Sequence, residues 1–236
     1  MALQLPPLDG PAILLADRGA PTHAAPDSLE GFRLAHRLGA HGIVSGAWRT
    51  ADGHVVVRRE AGIGSLRKRP VGQLRRDQLP PGTVGLDELL AALPEGVIAL
   101  DVADDATEEA VAEITRQREA LPRVWIRHPD VATLGRWKTT APDLRLVHVT
   151  RLRHVTGGAE RLAADLRDAG VDAIDLHVTD WSGGMVALFH RFRRLAWGRD
   201  ADQERMATEL LRIGIDAVTG EHPDRLADAA RQLGTG

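Results

Sequence analysis

Eight short β-rich runs alternate with eight amphipathic stretches along 236 residues, and no linker-like break separates them. This alternation predicts an α/β chain folded as a (β/α)8 barrel, the TIM-barrel architecture. The length suits one core, because a chain of this size buries roughly 70–75% of its unfolded surface. We therefore read residues 1–236 as one barrel domain.

The runs predicted as strands are 12–16, 42–47, 97–102, 123–127, 144–149, 173–178, 194–197 and 216–219, each rich in apolar or β-branched residues. Helices are predicted to begin near Ser28, Leu86, Thr107, Val131, Gly158, Ser182, Asp202 and Asp224, several with an Asp or Ser placed to cap the first turn. After the second strand the alternation breaks. Thr50-Ala51-Asp52-Gly53 is a hairpin signal, and Val55-Val56-Val57 follows at once. A β-hairpin excursion is therefore predicted, a ribbon that rises from strand two and returns Arg58, Arg59 and Glu60 to the rim where such barrels gather ligands. The stretch 61–82 is basic and carries Pro70, Pro80 and Pro81, so it reads as either a lid or an Ω-type surface excursion.

Composition excludes several chemistries. Cysteine is absent, so there is no disulfide, thiolate nucleophile or thiolate metal site. A formal charge of −3 lacks the basic excess of nucleic-acid binders, and the basic runs at 67–69, 75–76 and 191–194 read as solvated loop and helix charge. No apolar run approaches the ~20 residues of a membrane span, and the first ten residues carry no cationic, apolar leader. The expectation is a cytoplasmic protein with no nucleic-acid partner and no stable membrane insertion; its oligomeric state is open. Lys occurs only at Lys68 and Lys138, and Asn and Tyr are absent, the coding bias of a GC-rich bacterium. No Walker lysine, Gly-x-Ser-x-Gly elbow or His-Glu-x-x-His is present, and Gly62-Ile63-Gly64 lacks a third glycine.

Several stretches fall in one recognisable order. Asp17-Arg18-Gly19 ends strand one, Pro26-Asp27-Ser28 follows, and Gly39-Ala40-His41 precedes strand two. Asp52-Gly53 with Val56-Val57 forms the ribbon, and Val84-Gly85-Leu86-Asp87-Glu88-Leu89-Leu90 opens a helix. His190, Trp197, the run from Gly214 to Thr219 and Pro223-Asp224 close the chain. Together these resemble the frame of the glycerophosphodiester phosphodiesterases, a lipid-related family of phosphoric diester hydrolases, over nearly the whole chain.

The resemblance implies a barrel in which Ca²⁺ or Mg²⁺ is held by two acids on strand two and one on strand three. It further implies two histidines as general acid and base and an arginine that steadies the phosphate. At the matching positions Asp17 replaces the first histidine beside a retained Arg18, and Val44 and Gly46 replace the paired acids. Arg59 replaces the second histidine, with Glu60 beside it, while Asp101 keeps the third acid. Ala103 stands for a lysine. Trp197 is retained, followed by Gly198-Arg199-Asp200 in place of Thr-Val-Asn.

A hard dication takes about six to eight oxygen ligands, so Asp101 alone would not hold it, and no metal or other cofactor is expected. The alternative is a site shifted onto Asp17 and Glu60. Arg59 cannot serve as a base, but a guanidinium grips phosphate or carboxylate through two parallel hydrogen bonds. Asp17, beside Arg18 and Arg59, is expected to pair with one of them and to have its pKa drawn down.

These substitutions favour a pseudoenzyme: a barrel that binds an anionic small molecule, a glycerophosphodiester among the candidates, without metal-dependent hydrolysis. Arg18, Arg59, Glu60, Arg127 and Trp197 are its candidate ligand-binding residues. A second reading is a metal-independent enzyme with rewired acid–base groups. It would use Asp17, Arg18, Arg59 and Asp101 with His148 and His177 near the ends of strands five and six, Asp175 sharing a strand face with His177. For each lone histidine, His128 included, a hydrogen-bonded structural role is the simpler reading. A third reading is a protein-binding scaffold with 61–82 as its contact.

Overall fold

In chain order the elements are β1 (Ile13–Asp17), α1 (Leu29–Arg37), β2 (Gly42–Arg49), β3 (Val55–Val57), β4 (Gly62–Ile63), β5 (Arg69–Pro70), β6 (Val84–Gly85), α2 (Leu86–Ala92), β7 (Val97–Asp101) and α3 (Asp105–Gln117). They continue as β8 (Val124–His128), α4 (Val131–Thr140), β9 (Arg145–Val149), α5 (Ala159–Asp168), β10 (Ala173–His177), α6 (Gly183–Arg191), β11 (Leu195–Arg199), α7 (Glu204–Arg212), β12 (Ala217–Gly220) and α8 (Pro223–Leu233). This computed structural model describes residues 6–64 and 67–234. The leader reading therefore rests in part on residues outside the described range, as do two residues of the 61–82 stretch.

Strands β1, β2 and β7 to β12 pair in parallel, and β1 bonds to both β2 and β12, which closes the predicted (β/α)8 barrel. Side chains alternate along a strand, so each strand sends every second residue inward. One inward layer takes Leu15, Val44, Ala99, Trp125, Val147, Ala173, Trp197 and Ala217, one from each strand, all buried. Trp125 and Trp197 meet there with centroids 5.0 Å apart, filling the barrel. The outward residues, such as Ile43, Ile98, Ile126 and Ile174, pack against Phe32, Leu86, Leu134 and Phe189 of the surrounding helices. Four helices carry the expected caps: Ser28 accepts from Gly31 N at 3.0 Å, Asp104 from Thr107 N at 2.8 Å, Asp130 from Ala132 N at 2.9 Å and Ser182 from Met185 N at 3.3 Å. Each such cap stabilises its helix by ~1 kcal/mol.

The excursion after strand two is present. β3 pairs antiparallel with β2, Ala47 opposite Val57 and Arg49 opposite Val55. Its turn is tied by Thr50, whose hydroxyl donates to Asp52 Oδ1 at 2.7 Å and accepts from His54 N at 2.9 Å, while Gly53 takes φ +89°. Beyond the ribbon the chain does not hang free: Val71, Leu74 and Leu79 bury themselves against Val56, Trp48 and Ile63. The described part of the 61–82 stretch is thus a packed excursion, held to the ribbon through Val71, Leu74 and Leu79.

Candidate functional site at the barrel mouth

Two residues beyond the filled interior layer, the alternation brings Asp17, Gly46, Asp101, Arg127, Val149, Asp175, Arg199 and Thr219 to the C-terminal mouth, one from each barrel strand. Arg59, at the end of the ribbon, comes in over them. Oppositely charged groups then alternate across the opening. Arg59 bonds to Asp17 through Nη2 and reaches Asp101 Oδ2 at 3.3 Å through Nη1. Arg127 Nε lies 3.4 Å from the other oxygen of Asp101, and its Nη2 bonds to Asp175 Oδ2 at 2.9 Å. Arg199 Nη1 bonds to Asp175 Oδ1 at 2.9 Å, and its Nε lies 3.7 Å from Asp200. A cavity of about 160 Å³ opens among Asp17, Arg59, Asp101, Arg127, Arg199 and Thr219.

Several polar atoms in this opening have no protein partner although they are buried: Asp17 Oδ1, Arg127 Nη1 and Thr219 Oγ1. Buried polar atoms normally find partners, so their gathering here marks the place as a ligand-facing one. Burial pushes the Asp17 carboxyl up to about 6, more than the Arg59 and Arg127 charges pull it down. This corrects the sequence expectation of a lowered pKa, because desolvation disfavours the anion and one carboxylate oxygen finds no donor. The Asp175 carboxyl is likewise raised by burial, against Arg127 and Arg199.

The sequence candidates divide. Asp17, Arg59, Asp101 and Arg127 come together at the mouth. Arg18 does not, since its backbone is left-handed at φ +59° and turns the side chain to Asp27, Nε to Oδ2 at 3.2 Å, in a separate groove with Pro80 and Pro81. Glu60 points away from the mouth and accepts from exposed Lys68 at 2.6 Å. Trp197 lies wholly within the interior layer, beneath the opening and not lining it. His148 sits on the outward face of β9, beside inward Val147, and burial depresses its pKa to about 4. His177 reaches the rim on the Asp175 side of β10, 3.7 Å from Asp200, its Nδ1 bonded to Thr179. His128 packs edge-on to Trp137. Missed from the sequence were Arg199, Asp200 and Thr219 as mouth residues; counting two positions on from Trp197 finds the first.

The mouth does not fit the dication that the resemblance implies. Val44 is an interior packing residue. A Cβ on Gly46 would meet the Arg58 carbonyl oxygen at 2.5 Å, so the ribbon's returning backbone fills the space where a second acid would project. Asp17 and Asp101 are joined by the Arg59 guanidinium, and Asp175 is held by Arg127 and Arg199. Among the described residues no group of three or more His, Asp or Glu is placed to hold a metal.

Fold and site together define a (β/α)8 barrel with a ribbon-flanked mouth of alternating aspartates and arginines. No family model matches the sequence, and no curated protein matches it. Solved structures do match the fold. A Silicibacter pomeroyi protein assigned as a glycerophosphoryl diester phosphodiesterase superposes with a TM-score of 0.86 at 17% identity, covering 100% of this chain and 97% of that one. An Oleispira antarctica phosphodiesterase in complex with the product sn-glycerol-3-phosphate gives 0.80 at 15% identity, with 94% and 97% covered. The Thermotoga maritima glycerophosphodiester phosphodiesterase gives 0.79 at 16% identity, with 92% and 97% covered. The fold is therefore that of the glycerophosphodiester phosphodiesterases, as the sequence motifs implied.

Proposed function

We propose that this chain is a single-domain, phosphodiesterase-like barrel that binds a phosphate-bearing small molecule at its mouth and has lost metal-dependent hydrolysis. The observation that carries this reading is the Arg59 guanidinium seated between Asp17 and Asp101, where a catalytic dication would need those carboxylates for itself. A fixed cation there repels a metal ion and attracts an anion. Arg127 adds an unpartnered N–H pointing from a buried guanidinium, and charge-assisted hydrogen bonds of this kind are the strong ones. The cavity of about 160 Å³ suits a phosphate group with little else, so the organic part of the ligand extends outward. The bound sn-glycerol-3-phosphate of the Oleispira antarctica relative supports the same ligand class.

No helix among the described residues is long and apolar enough to cross a membrane, and a cytoplasmic place stays part of the proposal. The rewired-enzyme reading retains two acid–base candidates: Asp17, whose carboxyl burial raises to about 6 and one of whose oxygens has no partner, and His177 at the rim beside Asp200. His148 is excluded from it by facing away from the mouth. The test is a panel of glycerophosphodiesters with and without chelator. Saturable binding that ignores chelator, with no glycerol 3-phosphate released, is expected. Chelator-sensitive release would refute the proposal, and chelator-insensitive release would establish the rewired enzyme.

A further inference from the structure

A second cavity, larger than the one at the mouth, lies elsewhere in the barrel. About 440 Å³ opens at the opposite, N-terminal end of the barrel, lined by Trp125, Lys138, Arg145, Arg193, Arg194 and Asp172 among others. Its charges are unevenly matched. Lys138 is used by Leu144 O at 2.6 Å and Asp172 at 3.2 Å, and Asp143 at the edge is held by both arms of Arg116 at 2.8 Å. Arg194 gives Nη1 to Val171 O and Nε to Phe192 O at 3.3 Å. Arg145 lies over the Trp125 ring, 4.8 Å from its centroid, and neither it nor Arg193 has an ion pair or side-chain hydrogen bond. Asp9 is the one acid in the lining left without a partner. After pairing, two arginines are free and a third is half used, against one carboxylate.

Arg193 follows the end of α6. At the end of a helix the chain commonly turns through a left-handed residue, and glycine is the residue that does so without strain. This chain follows the rule after α1, α5 and α7 with Gly39, Gly170 and Gly214. Two helices depart from it: after α3 the turn is made by Glu119, at φ +54°, and after α6 by Arg193, at φ +58°, with its N–H on His190 O at 2.8 Å. Arg193 keeps its unpaired guanidinium at the cavity beside Arg145 from a position that glycine would take without strain, so Arg193→Gly removes the charge without straining the backbone. Burial depresses the pKa of neighbouring Arg194, and the charges of Arg167 and Arg193 add to that effect against Asp172.

We infer that the N-terminal end of the barrel carries a second anion site, in which Arg145 and Arg193 bind the phosphate of a small phosphorylated molecule over Trp125. The volume exceeds what inorganic phosphate fills, so an organic phosphate or a diphosphate is the fitting class. This site is independent of the mouth, which lies at the other end of the same strands.

The test is calorimetry with inorganic phosphate, pyrophosphate and glycerol 3-phosphate on four proteins: wild type, Arg59→Ala, Arg145→Met and Arg193→Gly. Arg193→Gly places the unstrained residue in the left-handed turn, so its Tm is expected to be equal or higher, which separates a binding role from a structural one. Arg145→Met keeps an apolar cover on Trp125 while removing the charge. Each arginine lost from a phosphate is expected to weaken binding about tenfold. Arg59→Ala is expected to leave this binding event unchanged. Pyrophosphate binding more tightly than phosphate favours a diphosphate, and glycerol 3-phosphate binding more tightly favours an organic monoester. Affinities unchanged in Arg145→Met and Arg193→Gly, loss of all binding in Arg59→Ala, or no saturable binding to wild type at millimolar concentration would each overturn the second site.

Discussion

Arg127 Nη2 lies 2.9 Å from Asp175 Oδ2 in the barrel mouth, with the arginine side chain 3% and the aspartate 0% exposed. Neither charge can turn to water, so Asp175 depends on Arg127 and Arg199 for its solvation, and Arg127 on Asp175 and Asp101. Replacing Asp175 by Asn or Arg127 by Met should destabilise the fold by about 3 kcal/mol, the lower end of the cost of breaking a buried ion pair, because the charge left behind keeps one partner. Urea unfolding of both variants measures this. The double variant Arg127→Met with Asp175→Asn should lose less than the sum of the two single changes.

Gly46 tests why the metal set is absent. A Cβ there meets backbone of the returning ribbon at 2.5 Å, and backbone does not yield as a flexible side-chain tip does. Gly46→Asp should therefore cost 2 kcal/mol or more, on the order of the overpacking penalty, without producing calcium affinity. Thermal unfolding with and without Ca²⁺ checks both halves.

Asp17 competes with any bound anion for Arg59. Its carboxyl is raised from 3.8 to about 6, so below that pH it carries a proton and frees the guanidinium. Affinity for a phosphodiester, whose own charge is constant in this range, should rise as pH falls from 8 to 5. Asp17→Asn should give the high affinity at both ends, measured by calorimetry.

Glu108, 3% exposed in α3, has an oxygen with no partner, and burial with neighbouring Glu109 raises its pKa from 4.5 to about 7. Below about 4.5 it is protonated in folded and unfolded chains alike, so burial costs nothing. As pH rises through 7 the folded state loses stability. Glu108→Gln should raise stability by about 1–3 kcal/mol at pH 8 and change little at pH 4.5, read from Tm across pH.

Much of this was legible in the sequence because strand alternation is a strict rule. The eight runs, the turn at Asp52-Gly53 and the convergence of Asp17, Arg59 and Asp101 all follow from spacing and motif order. Arg18 could not be placed that way, since a single left-handed residue turned it out of the mouth. Trp197 and His148 were misplaced because their neighbourhood in sequence says nothing of depth: one lies a layer too low and the other one position off the inward phase. The Arg127–Asp175–Arg199 chain joins residues from three strands and needed the barrel's closure to appear.

The most direct test titrates the purified protein with Ca²⁺ and Mg²⁺ and then with a glycerophosphodiester, in the presence and absence of chelator. Arg59 between Asp17 and Asp101 predicts no saturable metal heat at the mouth and phosphodiester binding that chelator leaves unchanged. Micromolar binding of either dication that Asp101→Ala abolishes would contradict it.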